Sequence, residues 1–430
     1  MNYLFFRNLP GFALLLGFLP PVSATEEISL TQALDEALRA NLELSSARLL
    51  VDEADGRLRQ AKQWPNPELD AVAREGRLAG GDDSEYFIAV AQRFPLAGRL
   101  RHAREVGRVD LSLARAEILN RERLVAGEVL AVFADILADQ EHIALLLNFR
   151  RQHEEFLEMA IARMEAAEVS ILDVHQAAVD FERLRQDIRR REARLLRRKN
   201  DLHFLMGREE KTAWSANGTL EDLVSSLAAV RDLQEPVARP DLDILRLLAN
   251  RAEAEIALAR AEVWGDARIA LGLGQETTRG GRQRESNTYI GLSVTLPLPV
   301  FDRGEGTVSA SRASRSRHTA AAVALRARID TKRRSLVAQL EALDELRRCT
   351  KEVLAPRLET NAELLTAAYA EGQINMTDLL QMQERVYRFS VEQLDLTAEL
   401  VRTLGELQTL LGAHSFNPDW DSRSHSLDNN

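Results

Sequence analysis

The sequence has a single cysteine, Cys349, so it holds no internal disulfide framework and no cysteine-rich metal site. Aromatics are scarce at 5%, while Ala, Leu, Arg and Glu are abundant, a balance that leans towards long helices and away from a compact aromatic core. Basic residues are outnumbered, 56 Lys and Arg against 66 Asp and Glu. The resulting net charge of −10 argues against a duplex nucleic-acid binder, which would carry a basic face. Beyond the N-terminus nothing approaches the roughly 18 uninterrupted apolar residues of a spanning helix. Catalytic patterns are also missing. There is no HExxH, GxSxG or P-loop, and Gly272-Leu273-Gly274 lacks the third glycine of a dinucleotide loop. The eight histidines are scattered. His153-Glu154-Glu155 reads as solvated helix surface, and Cys349 as a small core residue. No enzyme activity, cofactor or resident metal is expected.

What is present begins with an address. Residues 1–24 combine Arg7, an apolar stretch from Phe12 to Leu19 and the small-residue end Val22-Ser23-Ala24, the pattern of a secretory signal peptide. Pro10, Pro20 and Pro21 make a buried first helix a poor alternative. An exported chain with no spanning helix is soluble, surface-bound or a β-barrel.

The remainder is written twice. Asn41-Leu42-Glu43-Leu44 matches Asp241-Leu242-Asp243-Ile244, and Ala54, Leu58, Ala61 and Trp64 match Ala254, Leu258, Ala261 and Trp264, all at an offset of 200. Phe94-Pro95-Leu96 matches Leu296-Pro297-Leu298 at 202. Ser170–Val174 matches Asn375–Leu379, and Leu205-Met206-Gly207 matches Leu410-Leu411-Gly412, both at 205. The matches keep their order along both halves, which implies duplication with small loop insertions. The expected organisation is a signal peptide (1–24), a first repeat (25–207), a connector (208–239), a second repeat (240–413) and a polar tail (414–430). Each repeat reads as a helix (Thr31 to about Gln63; Asp241 to about Val263), two strands, a very long helix (about Leu100 to Glu165; about Gly306 to Ala370) and a return helix (about Ile171 to Met206; about Met376 to Leu411). Pro356 predicts a kink. Roughly 65 helical residues span about 100 Å and must be satisfied laterally by other helices. The arginine-rich stretch 183–198, interleaved with Asp187 and Glu192, reads as a solvated or intersubunit face.

The strands alternate. In 287–297, Ile290, Leu292, Val294 and Leu296 share one face, and Tyr289, Gly291, Ser293 and Thr295 the other. In 267–276, Ile269, Leu271 and Leu273 oppose Ala270, Gly272 and Gly274. Tyr86–Ile88–Val90 and Leu69–Ala71–Ala73 give a weaker version. Loops Arg77–Ser84 and Thr277–Ser286 suit hairpins. Strands of this length, apolar on one side and small or polar on the other, fit a bilayer-crossing barrel; they also fit a half-buried hairpin of a soluble sheet. Four strands cannot close a barrel, and an open sheet edge is forbidden in lipid. A membrane reading therefore requires several chains per barrel. Trp64, Tyr86, Phe94, Trp264, Tyr289 and Phe301 flank the strands, where interfacial aromatics sit.

This ordered set resembles the TolC-like outer membrane efflux protein family over almost the whole chain, from about Ile28 to Ala413. The marks are Trp64-Pro65-Asn66-Pro67-Glu68-Leu69, Phe94-Pro95-Leu96, Leu296 to Gly304 (LPLPVFDRG), and the hairpin ends Ser170–Val174 and Gly372–Leu379. The PNPEL and PLPVFDRG segments look most like the branch serving heavy-metal resistance pumps. The resemblance implies a mostly α chain with a small β part: a duplicated long-helix α-barrel plus four strands contributing to a trimeric 12-stranded transmembrane β-barrel. It implies an outer membrane location with a long periplasmic extension. It also implies a passive exit duct, with a periplasmic adaptor (membrane fusion) protein, an inner membrane resistance-nodulation-division pump and outer membrane lipid as partners, and no nucleic acid. A periplasmic adaptor or coiled-coil scaffold is the alternative from another class. By position, Ala167, Glu168, Val169, Ser170, Gly372, Gln373, Ile374 and Asn375 would be adaptor-facing hairpin tips. Asp173, Tyr369, Asp378 and Gln381 would surround the periplasmic entrance, with the Tyr369 phenol facing the Asp173 carboxylate. Asp173 and Asp378 also suit simple helix capping. Ile374 stands where related tips can carry a basic link, and Gln381 where a second ring carboxylate can occur.

Overall fold

A computed structural model describes residues 26–78, 81–166, 170–209, 214–233, 236, 239–280, 283–371, 373–374 and 376–412. The expected signal peptide and polar tail lie outside the described residues.

The chain opens with β1 (Glu26–Ile28), α1 (Leu30–Ala40) and α2 (Leu42–Ala61). The single helix expected from Thr31 is thus two. Ser29 caps α1 in a reciprocal capping box with Gln32. Asn41 breaks the run: its side-chain oxygen accepts from Glu43 N and Leu44 N, both at 3.0 Å, which restarts the helix. Strands β2 (Glu68–Leu78) and β3 (Gly81–Pro95) follow. Then α3 (Arg99–Glu165) runs unbroken for 67 residues, about 100 Å. The return helix α4 spans Ile171–Met206. The second repeat uses the same order: α6 (Pro240–Glu262), β5 (Asp266–Gly280), β6 (Gln283–Thr295), α7 (Glu305–Cys349), α8 (Ala355–Ala370) and α9 (Met376–Leu411). Here α6 starts one residue before the expected Asp241, because Pro240 presets the helical φ and has no N–H to leave orphaned.

The kink assigned to Pro356 takes the form of a π-helical turn, Thr350–Leu354, between α7 and α8. Ala355 N–H bonds Thr350 O, five residues back. The wider turn lets the chain absorb the donor that proline lacks. Cys349, just before it, is exposed and is not a core residue.

The connector is more ordered than its sequence suggested. β4 (Trp214–Ala216) pairs in parallel with β1, and α5 (Leu220–Leu227) continues into a 3-10 turn, Ala228–Asp232. Consecutive side chains of α3 hold it. The Gln140 amide donates to Ala216 O at 3.1 Å and accepts from Ala216 N at 2.9 Å. Glu141 accepts from Leu220 N at the start of α5, where the helix dipole favours a carboxylate. This equator contains the main core, with Phe133, Ile136, Leu137, Leu202, Leu220, Leu336, Leu400 and Leu404 all within it. Each such side chain contributes about 1.5–3 kcal/mol on burial.

One polar seam crosses that core. Asp139 on α3 is fully buried and meets Arg191 at 3.1 Å and Arg198 at 2.6 Å, both from α4. Asp135 meets Arg198 at 3.2 Å and Arg402 of α9 at 2.8 Å. Two arginines of the basic stretch therefore point inward, because α3 presents the carboxylates they need.

All four long strands form one antiparallel sheet in the order β2-β3-β5-β6, the two repeats joining between β3 and β5. The hairpins are tighter than the charged loops implied, with pairing running out to Leu78↔Gly81 and Gly280↔Gln283.

Candidate functional site

The strand register sorts side chains into two faces. Ala71, Ile88, Leu273 and Ile290 lie in one cross-strand row, and Leu69, Val90, Leu271 and Leu292 in the next. All project from the same face, and the large ones are open: Leu271 is 59% exposed, Leu292 69% and Ile290 75%. A soluble sheet would cover such a surface. The two outer strands, β2 and β6, each leave an open edge. Trp64 and Phe94 meet edge to face at 6.0 Å at the helical end of the sheet, and Trp264 and Phe301 are exposed near the same end.

The opposite face is small and polar. Ala89, Ala91, Ala270, Gly272, Gly274 and Gly291 line its middle. Longer side chains lie flat across them. The Phe87 and Tyr289 rings stack with centroids 6.1 Å apart. A Cβ at Gly274 would come within 2.4 Å of the Tyr289 ring, and one at Gly291 within 2.8 Å of the Phe87 ring. The Tyr289 hydroxyl donates to Glu85 at 2.6 Å. Arg268 on β5 reaches across β3 to Asp70 and Glu68 on β2, and Arg93 meets Glu68 at 2.8 Å. Paired charges and glycine-seated aromatics keep this wall flat and hydrophilic, as a water-filled interior needs.

At the far end of the helices the two hairpins share one small apolar cluster. Ala160 of α3, Ala177 of α4, Tyr369 of α8, and Leu379 and Leu380 of α9 are buried together. Ile374 is half-buried against them, an apolar contact where a basic link was considered. The Tyr369 ring lies under the Arg163 guanidinium of α3, 4.5 Å from its centroid. The Tyr369 hydroxyl is buried with no hydrogen-bond partner among the described residues. Asp378, in the first turn of α9, and Gln381 are exposed. Ser170 and Gln373 are exposed at the two turns. Ala167, Glu168, Val169, Gly372 and Asn375 lie outside the described residues, as does the side chain of Asp173, which the phenol was expected to face. Tertiary placement reveals Arg163, which sequence reasoning missed; an arginine on a charged helix carries no distinguishing local signal.

His153 is also placed differently from its sequence reading. It is buried on the inner side of α3, with Asp180 of α4 and Glu384 of α9 nearby. Burial pushes its pKa below the ordinary imidazole value, with those two carboxylates opposing. Among the described residues no helix is long and apolar enough to cross a membrane, and no three His, Cys, Asp or Glu side chains are placed to hold a metal ion.

One lipid-facing wall with two open edges, mounted on helices of about 100 Å, defines a class: barrel proteins of the outer membrane whose wall is shared between subunits. Comparison with known proteins points the same way. A family described as outer membrane efflux protein matches residues 33–208. The cobalt-zinc-cadmium resistance protein CzcC of Cupriavidus metallidurans is 24% identical over 397 residues, covering 91% of this chain and 92% of that one. A crystal structure of CusC superposes with a TM-score of 0.70 at 18% identity, covering 90% of this chain and 93% of the other. The outer membrane protein VceC of Vibrio cholerae gives 0.67 at 18% identity, covering 89% and 96%. The chain is therefore similar in sequence to the outer membrane efflux proteins over residues 33–208 and shares the fold of these channel structures over most of its length.

Proposed function

We propose that this protein is the outer membrane channel of a tripartite efflux system, a passive duct that performs no chemistry. Three copies donate four strands each to a 12-stranded barrel, and their helices extend into the periplasm towards an adaptor and an inner membrane pump of the resistance-nodulation-division class. The observation that carries this is the continuous apolar face across β2, β3, β5 and β6, exposed and with open edges, backed by a small polar face. Heavy-metal cations are the favoured cargo, supported by the relatives named for cobalt, zinc and cadmium resistance and for cation efflux.

The hairpin ends are the entrance and the adaptor-facing tips. Tyr369 joins the second hairpin to the first through Arg163, and the family resemblance pairs its hydroxyl with the Asp173 carboxylate. Asp378 and Gln381 lie on the exposed approach.

Fractionation tests the duct. A heat-resistant trimer in the outer membrane supports it, and a monomer released by osmotic shock overturns it. A deletion strain newly sensitive to cobalt, zinc or cadmium supports the cargo class; unchanged metal sensitivity rejects it. For the entrance, Tyr369→Phe combined with Asp173→Ala should raise single-channel conductance in planar bilayers, and unchanged conductance rejects the latch.

A further inference from the structure

Just beyond the equatorial anchor, His142 of α3 is 2% exposed and faces both α4 and α9. Its Nδ1 lies 2.7 Å from the Ala138 carbonyl oxygen one turn back. A carbonyl only accepts, so Nδ1 carries the proton in the neutral ring. That leaves Nε2 as a bare lone pair, and it sits 3.1 Å from Asp395 Oδ1 of α9, at ion-pair distance without the alignment of a hydrogen bond. Two acceptors facing each other repel. A proton on Nε2 turns the same contact into attraction.

We infer that His142 and Asp395 form a proton-dependent interlock between the long helix of the first repeat and the return helix of the second. The contact closes on acidification and relaxes at neutral pH. Asp395 is the moving part: its side chain is 60% exposed and free to swing outward when the imidazole is neutral. The charged groups facing His142 are Asp139 on its own helix, Arg191 of α4 and Asp395 of α9. Arg191 is held by Asp139 at 3.1 Å, which blunts its repulsion of an imidazolium. Burial opposes protonation and outweighs the carboxylates, so His142 titrates below the ordinary imidazole value and the interlock works in the acid range. The arrangement joins the two repeats at a point separate from the hairpin tips.

The test is the apparent thermal midpoint of the detergent-solubilised protein at pH 7.5 and 5.0, for wild type, Asp395→Asn, His142→Gln and the double variant. Asp395→Asn should lower the midpoint by about 2 °C or more at pH 5.0 and leave it unchanged or raised at pH 7.5. In the His142→Gln background Asp395→Asn should have the same effect at both pH values. If His142→Gln does not assemble, the Asp395→Asn comparison alone decides. An equal effect of Asp395→Asn at both pH values in the otherwise wild-type protein overturns the interlock.

Discussion

Asn41 donates from Nδ2 to the carbonyl oxygen of Leu205 at 2.9 Å, tying the start of α2 to the end of the first return helix. Its other side-chain atom caps α2, so one amide serves two helix ends. The second repeat solves the same junction with different chemistry. Asp241 stands at the matching position and accepts from Leu242 N, but a carboxylate cannot donate. Arg239 supplies the donor, binding Leu410 O while its Nε holds Asp241 at 2.8 Å. Both return helices then end at a glycine with positive φ, Gly207 at 66° and Gly412 at 67°. Asn41→Asp keeps the cap and loses the donor, leaving the buried Leu205 carbonyl unpaired. We expect a loss of about 1–3 kcal/mol, measured by denaturant unfolding, with the barrel strands unaffected.

The two faces of the sheet should respond oppositely to charge. Leu271→Arg places a cation on the apolar wall and should cost about 2–4 kcal/mol at bilayer depth. Ser293→Arg, on the polar face of the adjacent strand, should be tolerated. Heat-resistant oligomer in outer membrane fractions is the readout, absent for the first variant and retained for the second.

Arg163 links the hairpins through the Tyr369 ring. Arg163→Ala removes a cation–π contact of about 0.5–2 kcal/mol and should raise the open fraction in planar bilayers. Arg163→Lys should restore part of the wild-type behaviour, which a general loss of folding would not allow.

His153 gives a pH dependence whose sign follows from its burial. Its folded pKa lies below the ordinary value of 6.5, so the stability of the neutral buried ring is fully present above that value. It is lost as pH falls through the lower folded pKa. The thermal midpoint should therefore drop between pH 7.5 and 5.0, and His153→Leu should flatten the drop.

Much of this architecture is legible in the sequence because it rests on local rules. Unbroken runs without proline give α3, α4 and α9 to within a residue or two; strict alternation gives β5 and β6; repeated fragments give the order of elements in both halves. Other features were decided only by tertiary contact. The second bond of Asn41 goes to the Leu205 carbonyl 164 positions away. The inward turn of Arg191 and Arg198 depends on carboxylates of α3, and the burial of His142 and His153 on which side of a charged helix α4 and α9 cover. Arg163 became distinctive only once Tyr369 lay beneath it. Periodicity tells a chain which residues share a face, but which neighbour covers that face is set by helices and strands that are distant in sequence, and the polar pairings follow from that packing.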